Sequence, residues 1–539
     1  MNQTMQRLQK MTDSEHTPLM RILFGLDSPT PLPETLPDID FFDQTLNESQ
    51  RDAIRFALES REVALIHGPP GTGKTYTLLE LLRQLVLIRN LRCLVCGPSN
   101  ISVDNIVERL SPLKPAIPIL RLGHPARLLP SVLNHSLDVL TTTSEAGGIV
   151  RDVRKEMDAK QASIKKTRNG RERRQIYGDL KELRKEYRER EKGCVSTLVG
   201  QSKVVLATLH GAGGHQLRGE RFDVVIIDEA SQALEAACWI PLLGAAKVVL
   251  AGDHLQLPPT VKSSSSSAPA PSRNGNSKDS SSSSIDPKVK VSGNLELTLF
   301  TRLLSLHGPS IKRMLTTQYR MHRLISSFPS TELYEGKLVP APAVANRLLT
   351  TLPYPVADTD DTREPLIFYD TQGGDFPEEK RKNIMLADSK CNPLEALLAA
   401  RHARSLIEAG VREGDIAVIT PYNAQVSLLS NLLKHEFPGL EVGSVDGFQG
   451  REKEAVVVSL VRSNLDDTSG GAGGRGEAEV GFLAEKRRLN VAMTRPRRQL
   501  CVVGDSETVG RGSGFLKRWM RFLESEAEVR YPDVGEVVG

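Results

Sequence analysis

Short apolar runs alternate with amphipathic stretches along most of the chain. The runs include VALIHG (63–68), RCLVCGPS (92–99), KVVLAT (203–208), DVVIID (223–228), KVVLAGD (247–253), IAVITPY (416–422), AVVVSLVRS (455–463) and QLCVVGD (499–505). They are short, rich in β-branched residues and nearly unbroken in hydrophobicity. Such runs suit strands buried on both faces, in parallel sheets covered by helices. They fall into two groups, roughly 60–255 and 365–505, which predicts two α/β domains in series.

Three segments interrupt the alternation. Residues 144–195 read as two charged helices joined at Asn169-Gly170, an αα-hairpin projecting from the first domain. From Arg151 to Lys192 there are 16 basic and 9 acidic residues, a net +7 that leaves the rest of the chain at −3. Two readings stay open: a solvated pair laced with i,i+4 ion pairs, or a nucleic-acid contact. The segment 263–292 opens with SSSSSAPAPSRNGNSKDSSSSS, too polar to offset its ordering entropy, and is expected to be a disordered loop. Residues 465–478 contain SGGAGGRG and are expected to form a flexible Gly-rich loop.

Composition narrows the class. With 539 residues the chain is too long for one core, and 70 Lys+Arg against 66 Asp+Glu excludes a polybasic surface throughout. No apolar run reaches the length of a membrane span, and the first residues, MNQTMQRLQKMTDSEH, lack the apolar core of a secretory signal. Cys93 and Cys96 form a CxxC, but inside a strand-like run with no second pair at zinc spacing, so they read as buried thiols of a cytosolic or nuclear protein.

Candidate chemistry starts at Gly68-Pro69-Pro70-Gly71-Thr72-Gly73-Lys74-Thr75, between a predicted strand and a predicted helix. Glycines there let backbone N–H groups turn towards phosphate oxygens, and the helix N-terminus adds favourable partial charge. Lys74 would reach the β- and γ-phosphates and Thr75 would hold Mg²⁺. Asp228 and Glu229 end another apolar run, where doubly wound sheets place ligands. Asp228 suits Mg²⁺, and Glu229 suits orienting and deprotonating water, which makes the expected reaction hydrolysis of ATP rather than transfer to a substrate. Gln256, in DHLQLPP after a further strand, carries a neutral amide able to bond the γ-phosphate or the water.

GPPGTGKT, DEAS, GDHLQLPP, QYRMH (318–322), VDGFQGREKEAV (445–456) and NVAMTRPRR (490–498) stand in the order and spacing of superfamily 1 nucleic-acid helicases. The chain resembles their branch that contains the nonsense-mediated-decay RNA helicase and the immunoglobulin mu-binding helicases. LFG (23–25), PSNISVDNIVERL (98–110), LRLGHPARLL (120–129) and FLAEKRRLNVAMTR (482–495) extend the similarity from about Pro18 to about Glu524. The resemblance implies two RecA-like P-loop domains in tandem, 41–315 and 316–525, with the helical hairpin inserted in the first. Residues 1–40 would be a stalk remnant and linker, and 526–539 a tail. It implies that Gln50 reads the adenine edge, Tyr319 stacks on the base, Arg320 reaches the γ-phosphate, Glu452 accepts from the ribose and Arg495 is an arginine finger. Pro98, Ser99 and Asn100 would contact the single strand, as would Thr420, with Tyr422 either a stacking platform or a core residue.

The implied activity is an ATP- and Mg²⁺-dependent helicase or translocase on single-stranded DNA or RNA, moving 5′ to 3′, in the nucleus or cytoplasm. Replication- or ribosome-associated proteins are implied as partners. Relatives carry a β-barrel on a helical stalk ahead of the P-loop, whereas this chain opens with a stretch resembling only the tail of that stalk. The competing reading is therefore an ATP-regulated nucleic-acid clamp without unwinding. A P-loop kinase or GTPase leaves QYRMH and NVAMTR unexplained.

Overall fold

The computed structural model describes residues 1–166, 169–260, 295–383, 386–463 and 481–535. The Ser-rich segment 263–292 and the Gly-rich segment 465–478 lie outside the described residues. Strands β1 (Val63–His67), β2 (Cys93–Gly97), β3 (Ile119–Leu122), β4 (Val204–Thr208), β5 (Val224–Ile227), β6 (Lys247–Gly252) and β7 (Lys312–Met314) form one sheet. Its order is β3-β4-β2-β5-β6-β1-β7 and every pairing is parallel.

Two short strands, β8 (Thr317–Gln318) and β9 (Val339–Pro340), pair with each other on the way to the second sheet. That sheet starts with β10 (Leu366–Asp370). After an antiparallel pair, β11 (Glu379–Asn383) and β12 (Leu386–Cys391), it continues with β13 (Ile416–Thr420), β14 (Glu441–Ser444), β15 (Lys453–Ser459), β16 (Pro496–Gly504) and β17 (Glu528–Arg530). The order is β14-β13-β15-β16-β10-β17, again parallel throughout. The molecule is thus two parallel α/β units in tandem, as RecA-like domains are.

Strand alternation explains why the runs are apolar without a break. Val63 and Leu65 enter one core of the first sheet while Ala64 and Ile66 enter the other. Ala417 and Ile419 divide from Ile416 and Val418 in the same way in the second. Each fully buried Val, Leu or Ile contributes about 1.5–3 kcal/mol, so a polar residue on either face would be costly. Among the described residues no helix is long and apolar enough to cross a membrane.

At both chain ends more is folded than the sequence suggests. Helix Pro18–Phe24 is capped by Thr17, whose side chain accepts from the Met20 amide, and closed by Gly25 at φ 75°. Its Leu19, Met20, Ile22 and Leu23 join a core of the first sheet, and Phe24 stacks on Trp239 at 4.7 Å. The stretch expected to be a tail adds the edge strand β17 beside β10, anchored by Arg530, which donates to the Tyr369 hydroxyl at 2.9 Å and pairs with Asp361.

The charged insertion forms helices Glu145–Lys166 and Gly170–Gln201, the second capped by Asn169 and running beyond residue 195. Val153, Met157, Leu180 and Leu183 give the pair a small core of its own, and Lys160 reaches Asp179 across it at 2.5 Å. Cys93 and Cys96 lie fully buried in β2, and burial pushes both thiols up, Cys93 to about 12.

Candidate functional site

Strands β1, β6 and β5 are neighbours in the first sheet, so the segments leaving their carboxyl ends converge. These are Gly68–Thr75, Asp253–Gln256 and Asp228–Glu229. Gly71 and Gly73 take φ of 74° and 76°, in the left-handed region that favours glycine. A Cβ on Gly71 would fall 2.6 Å from the Arg320 Cβ, and one on Gly73 would fall 2.5 Å from the Gln50 Nε2. The glycines therefore shape the loop and also let those two side chains close on it. Helix Lys74–Arg83 starts directly behind, its first-turn N–H groups facing the cradle.

Lys74 lies 2.5 Å from Glu229 Oε1 and 3.3 Å from Asp228 Oδ1. Burial works against its charge, but the two carboxylates outweigh burial and hold its pKa above the ordinary lysine value. Asp228 goes the other way: burial raises its carboxyl although Lys74 opposes the shift. Glu229 takes a left-handed backbone at φ 52°, which costs a non-glycine residue on the order of 1–3 kcal/mol. The surrounding bonds keep it there. Its amide donates to Asp228 Oδ1 at 2.9 Å, and Gln232 donates to its Oε2 at 2.8 Å.

Gln50 is buried and both ends of its amide are engaged. Its Oε1 accepts from the Asn47 amide at 3.0 Å, and its Nε2 donates to the Thr72 carbonyl at 3.0 Å. In this structure it braces the loop. Tyr319 docks on the loop through its backbone, its N–H donating to the Gly71 carbonyl at 2.8 Å, while its side chain remains 43% exposed. That ring is open to a flat ligand.

From the second unit, Arg320 places Nε 2.5 Å from Glu452 Oε2 and donates to the Thr494 carbonyl at 3.1 Å. Arg497 pairs with Glu452 Oε1. Burial would raise the Glu452 carboxyl, but Arg320 and Arg497 hold it down to about 2. Both of its oxygens face arginines, so a ribose hydroxyl would have to share them. Arg495 is buried, donating to the Val491 carbonyl at 3.0 Å, the Arg451 carbonyl at 3.1 Å and, across to the first unit, Gln256 Oε1 at 3.3 Å. Burial and then the neighbouring Arg320 charge push its pKa down to about 9. Glu229, the partner of Lys74, favours the charged form of both Arg320 and Arg495. Lysine, acids and arginines thus share one buried electrostatic neighbourhood.

Gln256 also donates to Asp253 Oδ2 at 2.9 Å. Asp253 further accepts from Tyr334 at 2.7 Å and the Leu255 amide at 3.1 Å, and bonds His67 Nε2 at 2.9 Å. Burial alone would raise its carboxyl, but the bond from His67 and the others bring it down to about 2. His67, Asp253 and His254 offer ligand atoms within 4.8 Å of one another. The Asp253 oxygens are already taken by four donors, so Asp253 is a hydrogen-bond node that includes His67. Asp253 and Asn490 lie inside runs the sequence marks, GDHLQLPP and NVAMTRPRR. Tyr334 carries no local signal at all.

The expected strand contacts are less open. Ser99 caps helix Asn100–Leu110 by accepting from the Ser102 amide at 3.2 Å, and Asn100 Oδ1 accepts from Arg121 at 3.0 Å. Pro98 is half-buried. Thr420 is fully buried and Tyr422 is only 4% exposed. Of the two readings for Tyr422, the core position is the one observed, because the ring packs at the end of a strand buried on both faces.

Two family models, each described as AAA domain, match residues 45–264 and 295–507. The chain is 51% identical over 495 residues to the DNA polymerase alpha-associated DNA helicase A of Schizosaccharomyces pombe, covering 91% of this chain and 68% of that protein. Against the Saccharomyces cerevisiae protein of the same name the identity is 43% over 559 residues, with coverages of 99% and 76%. Against the DNA-binding protein SMUBP-2 of Rattus norvegicus it is 45% over 527 residues, covering 97% of this chain but only 49% of that relative.

Proposed function

The chain belongs to the superfamily 1 DNA/RNA helicases, ATP-hydrolysing enzymes, and from that premise we propose that it is a motor on single-stranded DNA or RNA driven by ATP held between its two units. The observation that carries this is the bond from Arg495 of the second unit to Gln256 of the first, beside Lys74, Asp228 and Glu229. One small volume holds a phosphate cradle, two acids and two arginines from opposite sides. That is the set that phosphoryl chemistry by positioning and charge requires.

In this reading Lys74 exchanges its carboxylate partners for the β- and γ-phosphates. Tyr319 offers its exposed ring to the base. Glu229, freed from Lys74, orients a water and takes its proton on a carboxylate oxygen as the water oxygen bonds to the γ-phosphorus and the bond to the ADP oxygen breaks. Arg320 and Arg495 stabilise the charge on the transferring group, and Gln256 reports its presence. The hydroxyl of Thr75 and the carboxylate of Asp228 are hard oxygen donors that suit Mg²⁺, and a cation beside Asp228 would favour its ionised form against the burial that raises it. Bound there, Mg²⁺ supplies neutralisation of the phosphate charge.

ATP binds most tightly when both units touch it, so it favours closure, and hydrolysis removes the bridge. Movement follows if each unit grips the strand differently in the two states. The basic balance of the inserted segment, net +7 over 151–192, supports a salt-sensitive hold on phosphates. Such substrates put the enzyme's work in the nucleus or cytoplasm. The test is ATP hydrolysis with and without single-stranded DNA and RNA, together with displacement of a labelled strand from partial duplexes of either polarity. Stimulation with displacement from a 5′ overhang is expected. Stimulation without displacement would replace the motor with an ATP-regulated clamp.

A further inference from the structure

We propose that Tyr334 is a positioning residue, a hydroxyl latch tying the nucleotide-facing end of the first sheet to the helix that leads into Arg495. The inference rests on the nucleotide site proposed above and adds a device that couples its two halves. Tyr334 ends helix Arg323–Leu333 in the second unit and is 1% exposed. Its hydroxyl donates to Asp253 Oδ2 at 2.7 Å and accepts from Asn490 Nδ2 at 2.7 Å. A carboxylate only accepts and an amide NH₂ only donates, so the phenolic proton has one consistent position, towards Asp253. Burial, then the Asp253 charge, hold the phenol protonated, its pKa well above the ordinary value.

Each end of this chain of bonds reaches the chemistry. Asp253 follows β6 and is bonded to His67, the residue directly before Gly68. Asn490 lies in helix Lys486–Met493, also donates to the Leu255 carbonyl at 2.9 Å, and precedes Thr494 and Arg495 by one turn. Beside the direct bond from Asn490 to Leu255, Asp253 is therefore joined to the 490–495 segment by two side-chain paths: through Gln256 and Arg495, and through Tyr334 and Asn490. The first path faces the nucleotide, and Gln256 must change partners if it bonds the γ-phosphate. The second is buried and touches no ligand. It keeps the two units in register while the first path is exchanged.

Tyr334→Phe keeps the ring, which sits 5.9 Å from that of His67, and removes both bonds. We expect strand-stimulated kcat to fall about tenfold, with KM for ATP within twofold and no further loss in Tyr334→Phe/Asn490→Ala beyond the worse single variant, because both break one chain. A kcat within twofold of the unaltered enzyme, or losses that multiply, overturns the latch, whatever happens to the melting temperature. Closure is read separately. All six native cysteines are buried, so Glu108→Cys and Lys434→Cys can carry a fluorescent pair, one label on each unit. Adding AMP-PNP with Mg²⁺ should change the transfer efficiency less in Tyr334→Phe than in the parent, and an equal change overturns the latch. This readout needs no hydrolysis. A chain that closes on AMP-PNP but shows no strand-stimulated ATPase would sink the motor reading and leave the latch to be judged here.

Discussion

The carboxyl ends of the two sheets are built on one plan and put to opposite uses. In the first, β1, β5 and β6 run out into a glycine loop and acidic segments whose groups face a common cleft. In the second, the same positions are closed by the unit's own side chains. Fully buried Glu395 accepts from Ser459 Oγ at 2.9 Å and from the Val461 amide at 2.8 Å, holding Val461 at φ 73°, and Gln425 donates to the same Ser459 at 3.0 Å. Asp505, after β16, accepts from the Glu507 and Thr508 amides. The second unit meets the cleft with Arg320, between the short strand β8 and helix Arg323–Leu333, and with Arg495, directly ahead of β16 rather than at its carboxyl end. The first sheet thus offers a site where the left-handed turns at Gly71 and Gly73 shape a loop beside the acids that follow β5. Where side chains cap those ends, the unit contributes charge from elsewhere.

On this division, Lys74→Ala should lower ATP hydrolysis by more than about 10³-fold, because among the described residues no other cation forms an ion pair with Asp228 or Glu229. Arg495→Ala should slow turnover by about 10³-fold with nucleotide binding changed only a few-fold in a fluorescent-ATP titration. Equal loss of binding would move Arg495 from the reaction to the pocket and blur the contrast between the two units. Glu452→Gln should lower kcat about tenfold, since it leaves Arg320 and Arg497 near each other without the carboxylate charge that offsets their repulsion.

The smallest effect concerns the closed ends. Burial raises Glu395 to about 8, against an ordinary 4.5, so the folded chain keeps a proton that the unfolded chain releases. Its stability contribution is full below about pH 4.5 and is lost as pH rises towards 8. Glu395→Gln imitates the protonated form, so calorimetry from pH 5 to 8 should show the parent's melting temperature dropping relative to the variant by a few degrees. Parallel curves would mean the carboxyl is not held protonated.

Much of this could be read from residue order. The unbroken apolar runs announced strands buried on both faces, and the glycine loop, Asp228-Glu229 and Gln256 lie where their motifs put them, at the ends of β1, β5 and β6. Other groups were legible by type but not by partner. Gln50 braces Thr72, Glu452 is shared by two arginines, and Tyr422 turns inward. Such choices depend on what packing brings within 3 Å, and no local pattern records that.

By itself, then, the amino-acid order determined the two-sheet plan, the phosphate cradle and the acids that face it, because those follow from periodicity and from backbone freedom within a few neighbouring residues. Only the tertiary structure decided that Arg495 meets Gln256, 239 positions apart, and that Tyr334 joins Asp253 to Asn490. A buried hydrogen bond between distant segments is set by the docking of whole units, which desolvates its partners and makes each bond left unmade costly.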